Sequence, residues 1–230
     1  MKTSAIVLAA GRGTRMGSKI PKQYLELCDR PILYYALHVF EESSVDEIIL
    51  VTSEEEISYC RKEIVEKYGF KKVVQIVCGG KERYHSVYQG LQSIKNSDYV
   101  FIHDGARPFV TKQEISELMV QVQTYGACIC AVPVKDTIKI SDANGFVVET
   151  PARDALWQIQ TPQVFSFPLI VSAYQRFIQK MDSTVTDDAM IVERYANHPV
   201  KLIMSSYRNI KITTQEDLIY GKLLMGEGKS

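Results

Sequence analysis

Residues 4–17, SAIVLAAGRGTRMG, decide the fold, because an apolar run ends abruptly in a loop with three glycines. A short run of this kind is typical of a strand buried on both faces of a sheet. Gly11, Gly13 and Gly17 permit close backbone approach and positive φ, and the successive N–H groups of such a loop can bind phosphate. The spacing is neither that of the dinucleotide fingerprint nor that of the P-loop. The stretch predicts an α/β fold whose first strand, 4–10, opens into a distinct phosphate-binding loop.

Apolar β-rich runs then alternate with helical patterns along the chain. Strands that alternate with helices are typical of right-handed βαβ units, so we expect a Rossmann-like, mostly parallel sheet with helices on both faces. The further predicted strands are 47–53, 72–78, 99–104, 127–134, 200–205 and 209–213 (NIKIT), and the predicted helices are 31–43, 54–68, 83–94, 112–124, 168–179, 187–196 and 214–225.

The alternation breaks after residue 133. The runs VKDTIKIS and FVVET flank DANG, and its Asn144-Gly145 pair is a strong signal for a hairpin turn. A hairpin inserted into a parallel α/β fold is not expected to join the main sheet. Residues 135–150 are therefore predicted to form a protruding β-hairpin arm on a single domain that spans 1–230.

The composition is that of a globular protein, with 46% hydrophobic and 23% charged residues among 230. Lys+Arg and Asp+Glu both number 27, so no global basic footprint indicates nucleic acid as a partner. The first thirty residues nevertheless hold six basic side chains against two acidic ones. No apolar run reaches the ~18 residues of a membrane helix, and the odd set of five cysteines contains no CxxC pair. We expect a reduced, cytoplasmic protein with no membrane partner.

Basic side chains lie inside the glycine loop and directly after it. Arg15 and Lys19 are within the loop, and Pro21 restricts the backbone just before Lys22. Combined with the glycines, these charges favour a clamp for a polyphosphate. A surface loop with solvated charges is the alternative.

Motifs along the chain resemble one enzyme family. The first, LAAGRGTRMG followed by PKQ, is similar to the nucleotidyltransferases that activate sugar and polyol phosphates. The ordered set, over about residues 4–225, resembles the 2-C-methyl-D-erythritol 4-phosphate cytidylyltransferases, which have the nucleotide-diphospho-sugar transferase fold. The further matching motifs are HDGARPF (103–109), VKDTIK (134–139), RDALWQIQTPQVF (153–165), TDDA (186–189) and NIKITTQEDL (209–218).

The resemblance implies a reaction. CTP and 2-C-methyl-D-erythritol 4-phosphate would give 4-diphosphocytidyl-2-C-methyl-D-erythritol and pyrophosphate, a step of non-mevalonate isoprenoid biosynthesis. A phosphate monoester is largely dianionic near pH 7, so the attacking oxygen needs no general base. Two alternatives stay open: a ribitol-5-phosphate cytidylyltransferase and a non-catalytic nucleotide-binding protein. The segments RDALW and TDDA favour the methylerythritol phosphate acceptor.

On the nucleotide side, the resemblance implies a triphosphate clamp, a base pocket and a metal ligand. Asp104 ends the fourth strand, where open α/β sheets bind ligands, and one carboxylate that faces several phosphates suits Mg²⁺. Ordinary first-turn chemistry of a helix is the alternative for Arg83 and Ser86. The implied residues are Arg15 and Lys22 as catalytic groups on the triphosphate, the backbone of Ala9, Ala10, Gly11 and Gly13, and Gly79, Gly80, Arg83 and Ser86 around cytosine and ribose.

On the acceptor side, the resemblance implies that two subunits share each site. Arm residues of one subunit would complete the acceptor pocket of the other, so we expect a homodimer through the arm. A surface salt bridge is the alternative for Arg153. The implied residues are Arg153 and Lys211 as catalytic groups on the acceptor phosphate, with Arg107, Asp136, Thr137 and Thr161 at the acceptor or beside it.

Five other polar residues are predicted to be structural. His103 lies inside the fourth strand, and Asp217 is expected to cap or pair within the last helix. Thr186, Asp187 and Asp188 are predicted to serve the N-cap and acidic first turn of a helix.

Overall fold

The computed structural model describes residues 1–11, 21–180 and 182–227, and these form an α/β fold around a central sheet. The strands are β1 (Thr3–Leu8), β2 (Glu26–Leu27), β3 (Arg30–Pro31), β4 (Glu47–Thr52), β5 (Val73–Cys78), β6 (Tyr99–Asp104), β7 (Ala127–Pro133), β8 (Ile140–Ser141), β9 (Val147–Glu149), β10 (Trp157–Ser166) and β11 (Lys201–Met204). The α-helices are α1 (Ile32–Glu41), α2 (Ile57–Tyr59), α3 (Arg83–Ser93), α4 (Lys112–Tyr125), α5 (Phe167–Lys180), α6 (Asp188–Ala196) and α7 (Gln215–Glu227).

Seven strands of the described chain form the central sheet, in the order β11-β7-β10-β6-β1-β4-β5. Strand β10 runs antiparallel to both of its neighbours, β6 and β7, while the other pairings in this sheet are parallel. The predicted mostly parallel sheet is therefore confirmed. Because the parallel strands share a direction, the loops that follow β1, β5 and β6 meet at one edge, where open α/β sheets bind their ligands.

Helices cover both faces of the sheet, as predicted. In β1, the alternate side chains of Ala5 and Val7 pack in the cluster that holds α1 and α4, whereas Ile6 packs in the opposite cluster with α3, α5 and α6. All three are fully buried. The two-sided burial explains why this strand is apolar without alternation.

The hairpin of the arm forms where the sequence predicts it. Strands β8 and β9 pair antiparallel, and the Asp142 carboxylate accepts hydrogen bonds from the backbone N–H groups of Asn144 and Phe146, each at 2.9 Å. Gly145 has φ +85°, the left-handed conformation that this turn demands. The whole stretch from 136 to 150 is exposed.

Three local features of the structure differ from the sequence predictions. The segment 209–213, predicted to be a strand, is not one: the Asn209 amide donates to the Gln160 side chain and to the Thr161 carbonyl of β10, and the Ile212 N–H donates to the Ala106 carbonyl at 2.8 Å. Strand β10 was not predicted. The helix expected at 54–68 is irregular, with a 3₁₀ turn (Glu54–Glu56), α2 and a π-helical stretch (Cys60–Glu66) in succession. None of the helices in the described residues is long and apolar enough to cross a membrane.

Candidate functional site

A cleft of about 190 Å³ opens at the carboxyl ends of β1 and β6. The cleft brings together the end of the first strand, the start of α3 and the Asp104 carboxylate, which are distant in sequence. Its lining includes nine of the residues predicted for the site, namely Ala9, Ala10, Gly11, Lys22, Gly80, Arg83, Ser86, Asp104 and Lys211.

The backbone after β1 forms one wall of the cleft. The Ala9 N–H donates to the Val51 carbonyl at 2.7 Å, and the buried Gln23 amide donates back to the Ala9 carbonyl. Lys22 opens a 3₁₀ turn (Lys22–Tyr24) directly after Pro21 and lines the same cleft. Gln23 is not recognisable as a site residue from the sequence. Its hydrogen bond to Ala9 connects the turn that begins at Lys22 to the backbone after β1. The predicted Gly13 and Arg15 lie outside the described residues.

A second wall consists of the turn Gly79-Gly80 and the first residues of α3. The Ser86 hydroxyl accepts a hydrogen bond from the Gly80 N–H at 3.1 Å, which fixes the turn against the helix. A Cβ atom on Gly79 would meet Ser86 Oγ at 2.7 Å and the Ala10 Cβ at 2.8 Å. Glycine is thus required here by close packing between the two walls. The Ser86 hydroxyl also donates a hydrogen bond to the Glu82 carbonyl at the start of α3, and Ser86 lines the cleft.

The Asp104 carboxylate lies at the floor of the cleft, surrounded by cations. Lys211 Nζ lies 2.7 Å from Oδ2, and Arg83 Nε lies 3.4 Å from Oδ1. Arg107 Nε lies farther away, 3.9 Å from Oδ2. The arrangement concentrates positive charge at the sheet edge of a chain whose formal net charge is zero.

The surroundings keep Asp104 ionised. Burial by itself would raise the pKa of this carboxyl, but Arg83 and Lys211 outweigh it and hold the pKa well below its usual range. The pKa of the Arg83 guanidinium is also set by two opposing effects. Burial lowers this pKa, and the carboxylates of Asp188 and Asp104 raise it by more, so the net change is an increase. Asp104 therefore carries its negative charge near neutral pH and has no proton to donate.

Arg107 and Thr161 support this floor from below. The Asp104 N–H donates to the Thr161 hydroxyl at 3.0 Å, and Arg107 Nη1 donates to the Asn209 carbonyl at 2.7 Å. His103 is fully buried, with its ring nitrogens near the Thr161 hydroxyl and the Arg107 carbonyl, and burial lowers its pKa to about 4. The structural role predicted for His103 is confirmed, and Thr161 lies behind the carboxylate, outside the lining of the cleft.

A neighbouring cleft of about 420 Å³ shares Lys211 with the first and is also lined by Arg107. Arg107 Nε is buried and has no hydrogen-bond acceptor among the described residues. Lys211 lines both clefts and Arg107 lines the second, so a group bound between these two cations would lie beside anything held over Asp104. Asp217 serves the last helix instead, since it accepts from the backbone of Thr213 and Thr214, as predicted.

Asp188 lies in the first turn of α6, as predicted, but its side chain has a partner that was not predicted. The neighbouring Asp187 caps α6 by accepting from the Met190 N–H, whereas Asp188 is fully buried and pairs with Arg83 at 2.7 Å. The signal in the sequence, two adjacent acidic residues at a helix start, does not tell which one turns inward. Only the tertiary contact with Arg83 does.

The arm residues lie away from this cleft in the single chain. Asp136 and Thr137 are exposed, and Arg153 Nη1 contacts the Lys135 carbonyl at 3.3 Å. None of the three belongs to the lining of the Asp104 cleft formed by the described residues. Their predicted role in a partner's pocket stays a prediction.

Asp104 is the carboxylate predicted to hold a metal ion. The described residues hold no group of three or more His, Cys, Asp or Glu side chains that could enclose one. Asp104 is ionised and faces the cleft, which fits a cation that takes one or two carboxylates and several phosphate oxygens, as Mg²⁺ does. The donor set therefore fits Mg²⁺ brought with a polyphosphate, and does not fit a metal caged by protein side chains.

Comparison with known proteins gives a consistent result. The family model described as 2-C-methyl-D-erythritol 4-phosphate cytidylyltransferase matches residues 3–227. Curated relatives of that name include one from Lachnospira eligens, 53% identical over 97% of this chain and 99% of its own. Another, from Lachnoclostridium phytofermentans, is 48% identical over 98% of this chain and 97% of its own.

Solved structures agree with these relatives. The 4-diphosphocytidyl-2C-methyl-D-erythritol synthase from Anaerococcus prevotii matches with a TM-score of 0.85 at 34% identity, over 98% of both chains. The 2-C-methyl-D-erythritol 4-phosphate cytidylyltransferase from Francisella tularensis matches with a TM-score of 0.81 at 32% identity, over 97% of this chain and 99% of the other.

Proposed function

The chain belongs to the 2-C-methyl-D-erythritol 4-phosphate cytidylyltransferase family, and from that premise we propose how its residues divide the reaction. The protein is a nucleotidyltransferase that joins CTP and 2-C-methyl-D-erythritol 4-phosphate in isoprenoid biosynthesis. Its products are 4-diphosphocytidyl-2-C-methyl-D-erythritol and pyrophosphate. The observation that carries the assignment of roles is the Asp104 carboxylate, ringed by cations, at the floor of the cleft.

The chemistry is a displacement at phosphorus. An oxygen of the acceptor phosphate attacks the α-phosphorus of CTP, a new P–O bond forms, and the bond to the β-phosphate oxygen breaks. Pyrophosphate leaves with the electron pair. The attacking oxygen is already anionic near pH 7, so the protein must bring two polyanions together and stabilise the charge that develops on the leaving group. Fixed cations suit this task better than a general base.

The nucleotide binds between the two walls of the cleft. Lys22 contacts the triphosphate together with Arg15, and the backbone of residues 9–11 and 13 lies against the phosphates. The turn Gly79-Gly80 with Arg83 and Ser86 receives ribose and cytosine. The close packing of Gly79 against Ser86 and Ala10 supports this division, because it holds both walls at a fixed separation.

The acceptor phosphate binds at Lys211 and Arg107, where the two clefts meet. The buried Arg107 Nε, which has no acceptor among the described residues, supplies a donor for an anion. Arg153, Asp136 and Thr137 complete this site from the arm of a second subunit, and Thr161 supports the floor through the Asp104 N–H.

Asp104 would be the protein ligand of an Mg²⁺ ion brought with CTP. When bound, the ion supplies electrostatic neutralisation of the phosphate oxygens. Asp104 keeps its charge near neutral pH, because Arg83 and Lys211 overcome the effect of burial on its pKa.

The protein assembles as a homodimer through the arm 135–150. Support comes from the exposed apolar side chains of β9 and its turn, Phe146, Val147 and Val148, each at least 60% exposed in the single chain. An unpaired hairpin with such a surface is stabilised when a second copy covers it. A cytoplasmic location is supported by the five free cysteines, three of which are buried.

Pyrophosphate release tests the function. The purified protein with CTP and Mg²⁺ is expected to release pyrophosphate with 2-C-methyl-D-erythritol 4-phosphate and not with ribitol 5-phosphate. Lys22→Ala should lower kcat about 10²–10³-fold, as for the loss of one transition-state donor. Lys95→Ala, an exposed lysine after α3 at the other edge of the sheet, is the matched control and should retain full activity. Release with ribitol 5-phosphate alone would reassign the acceptor, and release with neither would refute the proposal.

A further inference from the structure

Asp188 is a buried carboxylate whose position is not explained by its place at a helix start. It is the first residue of α6, yet the cap of that helix is the side chain of Asp187. The Asp188 side chain is fully buried, and its Oδ2 lies 2.7 Å from Arg83 Nη2. A buried charge is destabilising unless an opposite charge and hydrogen bonds compensate it, so the Asp188 carboxylate requires the Arg83 guanidinium beside it.

The fold fixes Asp188 from the side of the sheet. The Tyr174 hydroxyl donates to Asp188 Oδ1 at 2.5 Å, and the Asp188 N–H donates to Gln163 Oε1 at 3.1 Å. Gln163 lies in β10 opposite Ile102 of β6, two residues before Asp104. The backbone of Asp188 is therefore anchored to β10, next to the strand that ends at the floor of the cleft, and its carboxylate is held by Tyr174 of α5.

Arg83 is shared between two carboxylates at unequal distances. Its contact with Asp188 is 2.7 Å, within the range of strong charge-assisted hydrogen bonds, whereas its Nε lies 3.4 Å from Asp104. Asp188 is also the more deeply buried of the two partners. The guanidinium is consequently placed by Asp188, and Asp104 makes the weaker contact.

We propose that Asp188 is a positioning residue that holds Arg83 against the nucleotide wall of the cleft before CTP binds. Without an anion at 188, the guanidinium turns to the remaining carboxylate, Asp104, and leaves the wall formed by Gly80 and Ser86. Holding a side chain in its bound position beforehand removes an ordering cost from binding. The proposal rests on the proposed function, in which Arg83 contacts the nucleotide.

Asp188→Asn tests it, because the amide keeps the shape and removes the charge. CTP binding is measured by calorimetry without the acceptor, and kcat and the KM for each substrate are measured in parallel. The Kd for CTP should rise about tenfold, while the KM for the acceptor stays at the wild-type value. Asp182→Asn is the matched control: it breaks the surface pair with Arg194, at 2.8 Å, and should leave CTP binding unchanged.

A second variant keeps the charge and removes the anchor. Tyr174→Phe should weaken CTP binding in the same direction and by less, about threefold. If Asp188→Asn folds with a lower Tm but binds CTP as tightly as the wild type, the role is structural and the proposal is overturned. If that variant does not fold, unaltered CTP binding by Tyr174→Phe overturns it. Failure of the wild type itself to bind CTP would refute the proposed function, a result distinct from either.

Discussion

Asp104→Asn should lower the free energy of unfolding, because it removes the anion that three cations share. Lys211 Nζ, Arg83 Nε and Arg107 Nε lie 2.7, 3.4 and 3.9 Å from the carboxylate oxygens. The substitution leaves these cations in place with a neutral amide between them. Their mutual repulsion is then no longer offset at the floor of the cleft.

The magnitude follows from the burial of the partners. Removing one member of a buried ion pair costs about 3–5 kcal/mol. Two features reduce the cost for Asp104: the Lys211 side chain is 37% exposed, and Arg83 keeps its second partner, Asp188. We expect a loss of about 3 kcal/mol at pH 7, at the lower end of that range.

Urea unfolding monitored by the single tryptophan, Trp157, measures this loss. Asp182→Asn again provides the control, since its partner Arg194 is a surface side chain, and its midpoint should stay close to that of the wild type. An Asp104→Asn protein as stable as the wild type would refute the reasoning. It would mean that the free-energy cost of desolvating the Asp104 carboxylate is as large as the stabilisation it gains from the three cations.

The pH dependence of unfolding gives a second test of whether Asp104 stabilises the folded protein. Burial alone raises the pKa of Asp104, but its cations hold the folded-state pKa below the unfolded value of about 4. The unfolded chain therefore takes up the proton first as the pH falls. The contribution of Asp104 to the free energy of unfolding is complete above about pH 5. Below about pH 4 it is lost by about 1.4 kcal/mol per pH unit, so the free energies of unfolding of the wild type and Asp104→Asn should become more similar there.

Two further predictions concern other parts of the molecule. Burial lowers the pKa of His103 to about 4, so its ring NMR signals should not titrate between about pH 5 and 8. Because an unfolded histidine binds its proton near about pH 6.5, the free energy of unfolding should decrease as the pH falls below that value. A His103 titration near about pH 6.5 in the folded protein would contradict this. Phe146→Ser should convert the proposed dimer into 26.1 kDa monomers in light scattering while Phe146→Leu stays dimeric, and a monomeric wild type would refute the arm interface.

The sequence predicts those parts of the fold in which one physical signal dominates. Apolar runs such as 99–104 are strands because both faces of the sheet are covered, and Asn144-Gly145 is a hairpin turn because Gly145 adopts positive φ. Strand β10 is not recognisable from the sequence because several of its buried positions are polar. Gln160 and Gln163 are nearly inaccessible to solvent, and their amides bond to Asn209 and to the start of α6, contacts that appear only once the chain has folded.

The candidate site was predictable to a similar extent. Residues next to glycines or at strand ends, such as Ala9, Gly80 and Asp104, come together in one cleft as the sequence pattern indicates. Lys211 reaches the same cleft although its segment is not a strand. Asp188 could not be recognised, because its neighbour Asp187 has the same local pattern and only tertiary packing separates a cap from a buried partner of Arg83.

The carboxylates of the site have a role that net charge conceals. Arg83, Arg107 and Lys211 contribute three positive charges and Asp104 and Asp188 two negative ones, so this group carries +1 before Lys22 is counted. Cations alone would attract a triphosphate more strongly, but they would repel one another and lose their positions until it arrived. The two carboxylates reduce that attraction and in return fix the donors in advance, and catalysis by electrostatics depends on charges that need not reorganise during the reaction.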